Sequence, residues 1–82
     1  MDVDANQIRA ARALLNWSQN DLVQKTGLSL TTIRRMEDDA IGPDRSSAGN
    51  VALVKRTLEE AGITLLNDGE LVEGGSGVRL RK

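Results

Sequence analysis

Apolar positions recur at intervals of three and four through the first sixty residues, the spacing of one helix face, and then give way to strand-like runs. Ile8, Ala11 and Leu15 form a first stripe, broadened by Ala10, Ala13 and Leu14. Asp4, with Gln7 three residues later, makes a capping-box-like pair ahead of it, so a helix is expected over 5–15. Ser18 opens a second helix, 19–26, with Asp21 in its first turn and Leu22, Val23 and Thr26 on one face. Gly27 closes it, as a residue that tolerates positive φ. Ser29 caps a third helix, about 30–38, with Ile33 and Met36 inward. Residues 39–46 contain Gly42-Pro43 and read as a loop. Ser46 or Ser47 caps a fourth helix, roughly 48–61, striped by Val51, Val54, Leu58 and Ala61 and ended by Gly62. Leu53 falls on the opposite side of that helix.

The period changes in the tail. Ile63-Thr64-Leu65-Leu66 and Gly77-Val78-Arg79-Leu80-Arg81 are strand-like, Val78 and Leu80 alternating with Arg79 and Arg81. Asn67-Asp68-Gly69 and Gly74-Gly75-Ser76-Gly77 are turn-rich. A two-stranded antiparallel hairpin with a long loop is expected, with a three-strand meander through Leu71-Val72 as the alternative. Such a hairpin is marginal alone and must pack on helix 4 or on another chain. The chain therefore reads as mainly α: four helices (1–62) followed by a short C-terminal β-hairpin (63–82).

Composition narrows the chemistry. Eighty-two residues suit one small domain, and 39% apolar with 28% charged residues is too apolar for a disordered tail. There is no His, Cys, Tyr or Phe, which excludes a structural zinc site and any Cys or His nucleophile–base pair. No carboxylates pair inside an apolar helix face, so the reading is not an enzyme and needs no cofactor or metal. The Gly74–Gly77 run lacks the strand-to-helix setting and the lysine of a phosphate loop. No apolar run is long enough for a membrane span, and Met1-Asp2-Val3-Asp4 is acidic rather than signal-like, so a cytoplasmic protein without membrane contact is expected. Net charge is −1, eleven basic against twelve acidic residues. Nucleic-acid binders carry a basic excess, so DNA binding would need the cations gathered on one face.

From Ser18 to Glu37 two short helices meet at a tight turn, with Val23 at the crossing, Gly27 in the turn and Ile33 locking the second helix onto the first. That spacing is a helix-turn-helix, about 18–38. At Ser18, Gln19, Leu22, Gly27, Leu28, Ser29, Ile33, Met36 and Glu37 the sequence resembles the Cro/phage-repressor (XRE-type) family, departing at Val23, where alanine is usual. The resemblance covers residues 5–61. The hairpin is similar to that of short bacterial and phage regulators in which strands replace the family's last helix. The resemblance implies a lambda-repressor-like domain acting as a sequence-specific, repressor-like homodimer on double-stranded DNA, nucleoid-associated, reading the major groove with helix 3.

Stepping about 100° per residue with Ile33 inward puts Thr31 and Arg35 at roughly 160° and 200°, with Thr32 and Arg34 beside them and Leu30 at about 60° on the boundary, where it reads equally as core or as a thymine-methyl contact. Arginine can bond both acceptors of guanine, and threonine can meet a thymine methyl or a phosphate. Arg34 and Arg35 alone would read as a solvated helix face; inside the complete motif they read as DNA contacts. The resemblance implies that Leu30, Thr31, Thr32 and Arg35 read bases and that Gln19 contacts the DNA backbone and braces them. Asn16 and Ser18, with the first N–H groups of helix 2, are placed to hold a phosphate. Lys25 and Arg45 are weaker candidates. Asp38 extends the outward face of helix 3, whereas Asp39 is expected to point off the duplex. By the resemblance, Arg12 and Glu37 form a structural ion pair. Trp17 reads as packing rather than a stacking platform, since no interleaved aromatics suit RNA or single strands. Arg79, Arg81 and Lys82 read as a solvated strand face and terminus.

A near-neutral single motif makes few phosphate contacts, so a two-fold dimer is expected. Leu53, Ile63, Leu65, Val78 and Leu80 are the expected dimer contacts, and truncation after Gly62 is expected to leave a monomer. The alternative function is a protein-interaction module, antitoxin-like or an anti-repressor partner, with weak or no DNA binding. The slight acidic excess favours it.

Overall fold

The computed structural model describes residues 3–66 and 77–80. The expected Leu71-Val72 strand, Arg81 and Lys82 lie outside the described residues. Among the described residues the α-helices and strands are, in order, α1 (Ala5–Leu15), α2 (Gln19–Thr26), α3 (Leu30–Met36), α4 (Ala48–Glu60), β1 (Ile63–Leu66) and β2 (Gly77–Leu80). The protein is thus mainly helical, with a small antiparallel sheet. Among the described residues no helix is long and apolar enough to cross a membrane.

Each helix starts where a side chain satisfies its free N–H groups. Asp4 accepts from the Gln7 amide and Gln7 returns the bond, as Ser18 and Asp21 do for α2. Ser29 and Ser47 cap α3 and α4 through the amides of Thr32 and Asn50. The third helix stops two residues short of the expected end. Asp38 turns its carboxylate back to accept from the Ala40 N–H at 2.8 Å, a local bond that competes with another helical turn. The following loop holds a single 3₁₀ turn, Pro43–Arg45, with Pro43 buried.

Gly27 ends α2 at φ 76, in the left-handed region. Nothing lies within 4 Å of where a Cβ would stand, so the cost of Gly27→Ala is conformational alone. A loss of about 1–2 kcal/mol is expected, read as a thermal midpoint lower by roughly 4–8 °C for each kcal/mol.

The core gathers Ile8 and Ala11 from α1, Leu22, Ile33 and Met36 from α2 and α3, Val51, Val54 and Leu58 from α4, and Ile63 from β1. Trp17, Val23 and Leu28 pack at its margin. In the sheet, Ile63 pairs with Leu80 and Leu65 with Val78. Since alternate residues share a face, all four side chains lie on one face, and that face is turned to the protein's own core. Here the structure removes Ile63 from the expected dimer contacts. Ile63 is 0% exposed, and Leu65, Val78 and Leu80 pack against the core beneath it. Truncation after Gly62 would uncover that core, so it perturbs folding rather than association alone. Leu53 is half-buried on the far side of α4.

Candidate nucleic-acid interface

The α2–α3 pair is held from below by a polar network centred on Glu37, which is 5% exposed. Arg12 meets it with two charge-assisted hydrogen bonds, Nε to Oε2 at 2.7 Å and Nη2 to Oε1 at 2.8 Å. That bidentate fit is the strong form of the pair. The third arginine donor, Nη1, reaches the Trp17 carbonyl at 2.9 Å, between α1 and α2. Gln19 Nε2 donates to Glu37 Oε1 at 3.1 Å, so the first residue of α2 also rests on the carboxylate at the end of α3. The hydrogen bond to Glu37 raises the pKa of Arg12 against the cost of burial, and the carboxylate's charge adds to it. A raised arginine stabilises the fold at every pH below its ordinary range and stops doing so only in strong alkali.

Arg9 adds a second tie that sequence reasoning missed. Its guanidinium donates to the Glu37 carbonyl, to Asn6 Oδ1 at 2.6 Å and to the Asp39 carboxylate at 3.1 Å. The Asp39 pair is largely solvent-exposed and contributes little energy by itself. It does fix where that acid points. Asp38 on Ala40 and Asp39 on Arg9 are thus each engaged within the protein. The expected outward extension by Asp38 is replaced by this turn, because α3 has already ended.

Above this base α3 presents its outer face. Thr31, Arg34 and Arg35 are exposed, while Leu30 and Thr32 are half-buried. Thr32 accepts from the Ser29 hydroxyl at 2.9 Å, which orients its side chain along the start of the helix. Among the described residues the side chains of Arg34, Arg35 and Arg45 make no hydrogen bond or ion pair, whereas those of Arg9 and Arg12 are both committed. Lys25 sits 4.7 Å above the Trp17 ring, a cation–π contact that ties it to the start of α2. Arg34 and Arg35 also occupy the last turn of α3, where positive charge suits the helix dipole. Helix stability accounts for part of their presence, but not for guanidinium groups left without partners.

The remaining sequence candidates divide. Asn16 is exposed at φ 59, the left-handed cap of α1, where asparagine is among the few residues at ease. Ser18 is the α2 cap, and the Asp21 carboxylate already fills the start of that helix at 2.8 Å from the Ser18 amide nitrogen. The expected capping role of Ser18 is thus present, and a phosphate at this helix start would lie beside a negative charge. Gln19 braces Glu37 from a half-buried position. The tie of Arg9 to the end of α3 lacked a sequence signal because Glu37 and Asp39 lie 28 and 30 residues away. Among the described residues no cluster of acidic side chains could hold a metal ion. No family model, curated protein or solved structure matches the chain.

Proposed function

We propose that this chain is a sequence-specific double-stranded DNA-binding regulator of the XRE/Cro type, acting in the cytoplasm as a repressor-like homodimer. In this reading α2 and α3 form a helix-turn-helix and α3 enters the major groove. The observation that carries it is the pair of exposed, unpartnered guanidiniums of Arg34 and Arg35 beside Thr31, on a short helix braced by the Arg12–Glu37–Gln19 network. A major-groove edge offers guanidinium groups the acceptors they lack on the protein. The preorganised base limits the entropy lost on docking.

The test is titration of random-sequence DNA at rising salt, followed through Trp17, the single aromatic residue. Measurable affinity at low salt, with log K falling linearly as log salt rises, is the expected result. No binding at low salt would defeat the proposal. Selection from a random DNA pool then reports the half-site, and a pseudo-palindrome with half-sites about one turn apart would mark a two-fold dimer. Asn16→Gly separates backbone from contact at the cap of α1. Glycine fits the left-handed conformation, so stability should hold within about 0.5 kcal/mol. A loss of DNA affinity in that variant would reveal a contact by the side chain.

A second reading, the protein-interaction module, draws on a groove of about 380 Å³ where Asp4, Asp39 and Asp44 lie with Val3, Ile41 and Pro43. Such an acidic groove suits a basic peptide rather than DNA. That reading expects no salt-dependent DNA binding at all.

A further inference from the structure

The Gln7 side chain is 3% exposed, and each of its polar atoms is engaged. Oε1 accepts from the Asp4 amide at 2.9 Å, closing the capping box of α1. Nε2 donates to the Leu66 carbonyl at 2.8 Å and to the Gly77 carbonyl at 2.9 Å. Leu66 and Gly77 are partners in the sheet register, at the end of β1 and the start of β2. One planar amide therefore joins the start of the first helix to the end of the sheet, across 59 and 70 residues of chain. We propose that Gln7 is a two-way clasp, so that the capping turn of α1 and the Leu66–Gly77 end of the sheet open and close as one unit.

The physical argument is the amide's rigidity together with its burial. Its oxygen and nitrogen lie in one plane, so a displacement that breaks the bond to Asp4 also moves the two donor hydrogens. Releasing either side leaves a buried polar group without a partner, which is costly in a water-poor interior. Neither half is robust alone. A first helical turn frays readily without its cap, and a two-stranded sheet of four-residue strands is marginal in water. Coupling replaces two small local openings by one larger, rarer opening.

The test is amide hydrogen exchange by NMR on the full chain, with two variants that attack the clasp from opposite sides. Asp4→Ala removes an exposed cap and leaves the core side chains intact. The Gln7 side-chain Nε2 protons and the β1 and β2 amides should then exchange at least tenfold faster, while the Val54 amide in α4 stays unchanged. Gln7→Met keeps the length of the side chain but removes its polar atoms. There the Asp4 and Ile8 amides should accelerate together with those of the strands. If Asp4→Ala speeds only the first turn of α1, or Gln7→Met speeds only the strands, the two units open independently and the clasp is refuted. Should Gln7→Met fail to fold, Asp4→Ala decides the matter alone.

Discussion

Replacing Glu37 by alanine is expected to remove about 3–5 kcal/mol of stability, the cost of breaking a buried pair from one side. The change strands the Arg12 guanidinium, of which only 19% of the side chain reaches solvent, and deprives Gln19 of its acceptor. A domain of this length holds about 4–12 kcal/mol in total. At the lower end of the expected loss, the thermal midpoint falls by roughly 12–24 °C. Urea unfolding monitored by circular dichroism checks it, since a lower midpoint with unchanged slope isolates stability from changes in the unfolded chain. The double variant Arg12→Met with Glu37→Met should recover most of the loss, because an apolar pair leaves no buried charge. A Glu37→Ala variant within about 1 kcal/mol of the parent would show that the network beneath α3 does not hold the helix in place.

Arg34→Ala with Arg35→Ala is expected to weaken DNA binding about thirtyfold or more at low salt, since each contact contributes about 1–3 kcal/mol. The salt dependence should shallow in parallel if either arginine meets a phosphate. Stability should change little, by under about 1 kcal/mol, because both side chains are exposed and only a favourable helix-end charge is lost. That contrast is the useful part: Glu37→Ala damages the fold, while the double arginine variant spares it. Fluorescence anisotropy on labelled duplex, with circular dichroism on the same samples, separates the two. Undiminished affinity in the folded double variant would move the binding face away from α3.

Local signals were readable wherever neighbours in sequence are neighbours in space. Asp4, Ser18 and Ser29 cap the helices they were expected to cap, since a cap reaches only two or three residues. The antiparallel pairing of β1 with β2 followed from alternation in residues 63–66 and 77–80. The end of α3 was misjudged because helix propensity carries no signal for the Asp38 side chain turning back to Ala40. The surface that the hairpin meets was left open between helix 4 and another chain for a different reason. Alternation says that Ile63, Leu65, Val78 and Leu80 share a side, but only the tertiary structure says which surface that side meets. The capping role of Gln7 was legible, but its bonds to Leu66 and Gly77, and those of Arg9 to Glu37 and Asp39, escaped, since these partners are distant in sequence and an amide or guanidinium carries no mark of where it will bond. In the candidate interface, the outward aspect of Thr31, Arg34 and Arg35 followed from helix geometry. The capping role of Ser18 was legible too, with Asp21 the first-turn acid that completes the box.

The bond between Gln7 and the Gly77 carbonyl has a consequence for how the molecule is made. Ribosomes add about 5–20 residues per second, so roughly 4–14 s separate synthesis of the two groups. During that interval the nascent helix has a binding amide without its acceptors and an apolar stripe without its strand. Completion of the native structure must therefore wait for translation of the hairpin, and a product released before β2 emerges would carry an unfinished core into a crowded cell, a natural target for chaperones and proteases.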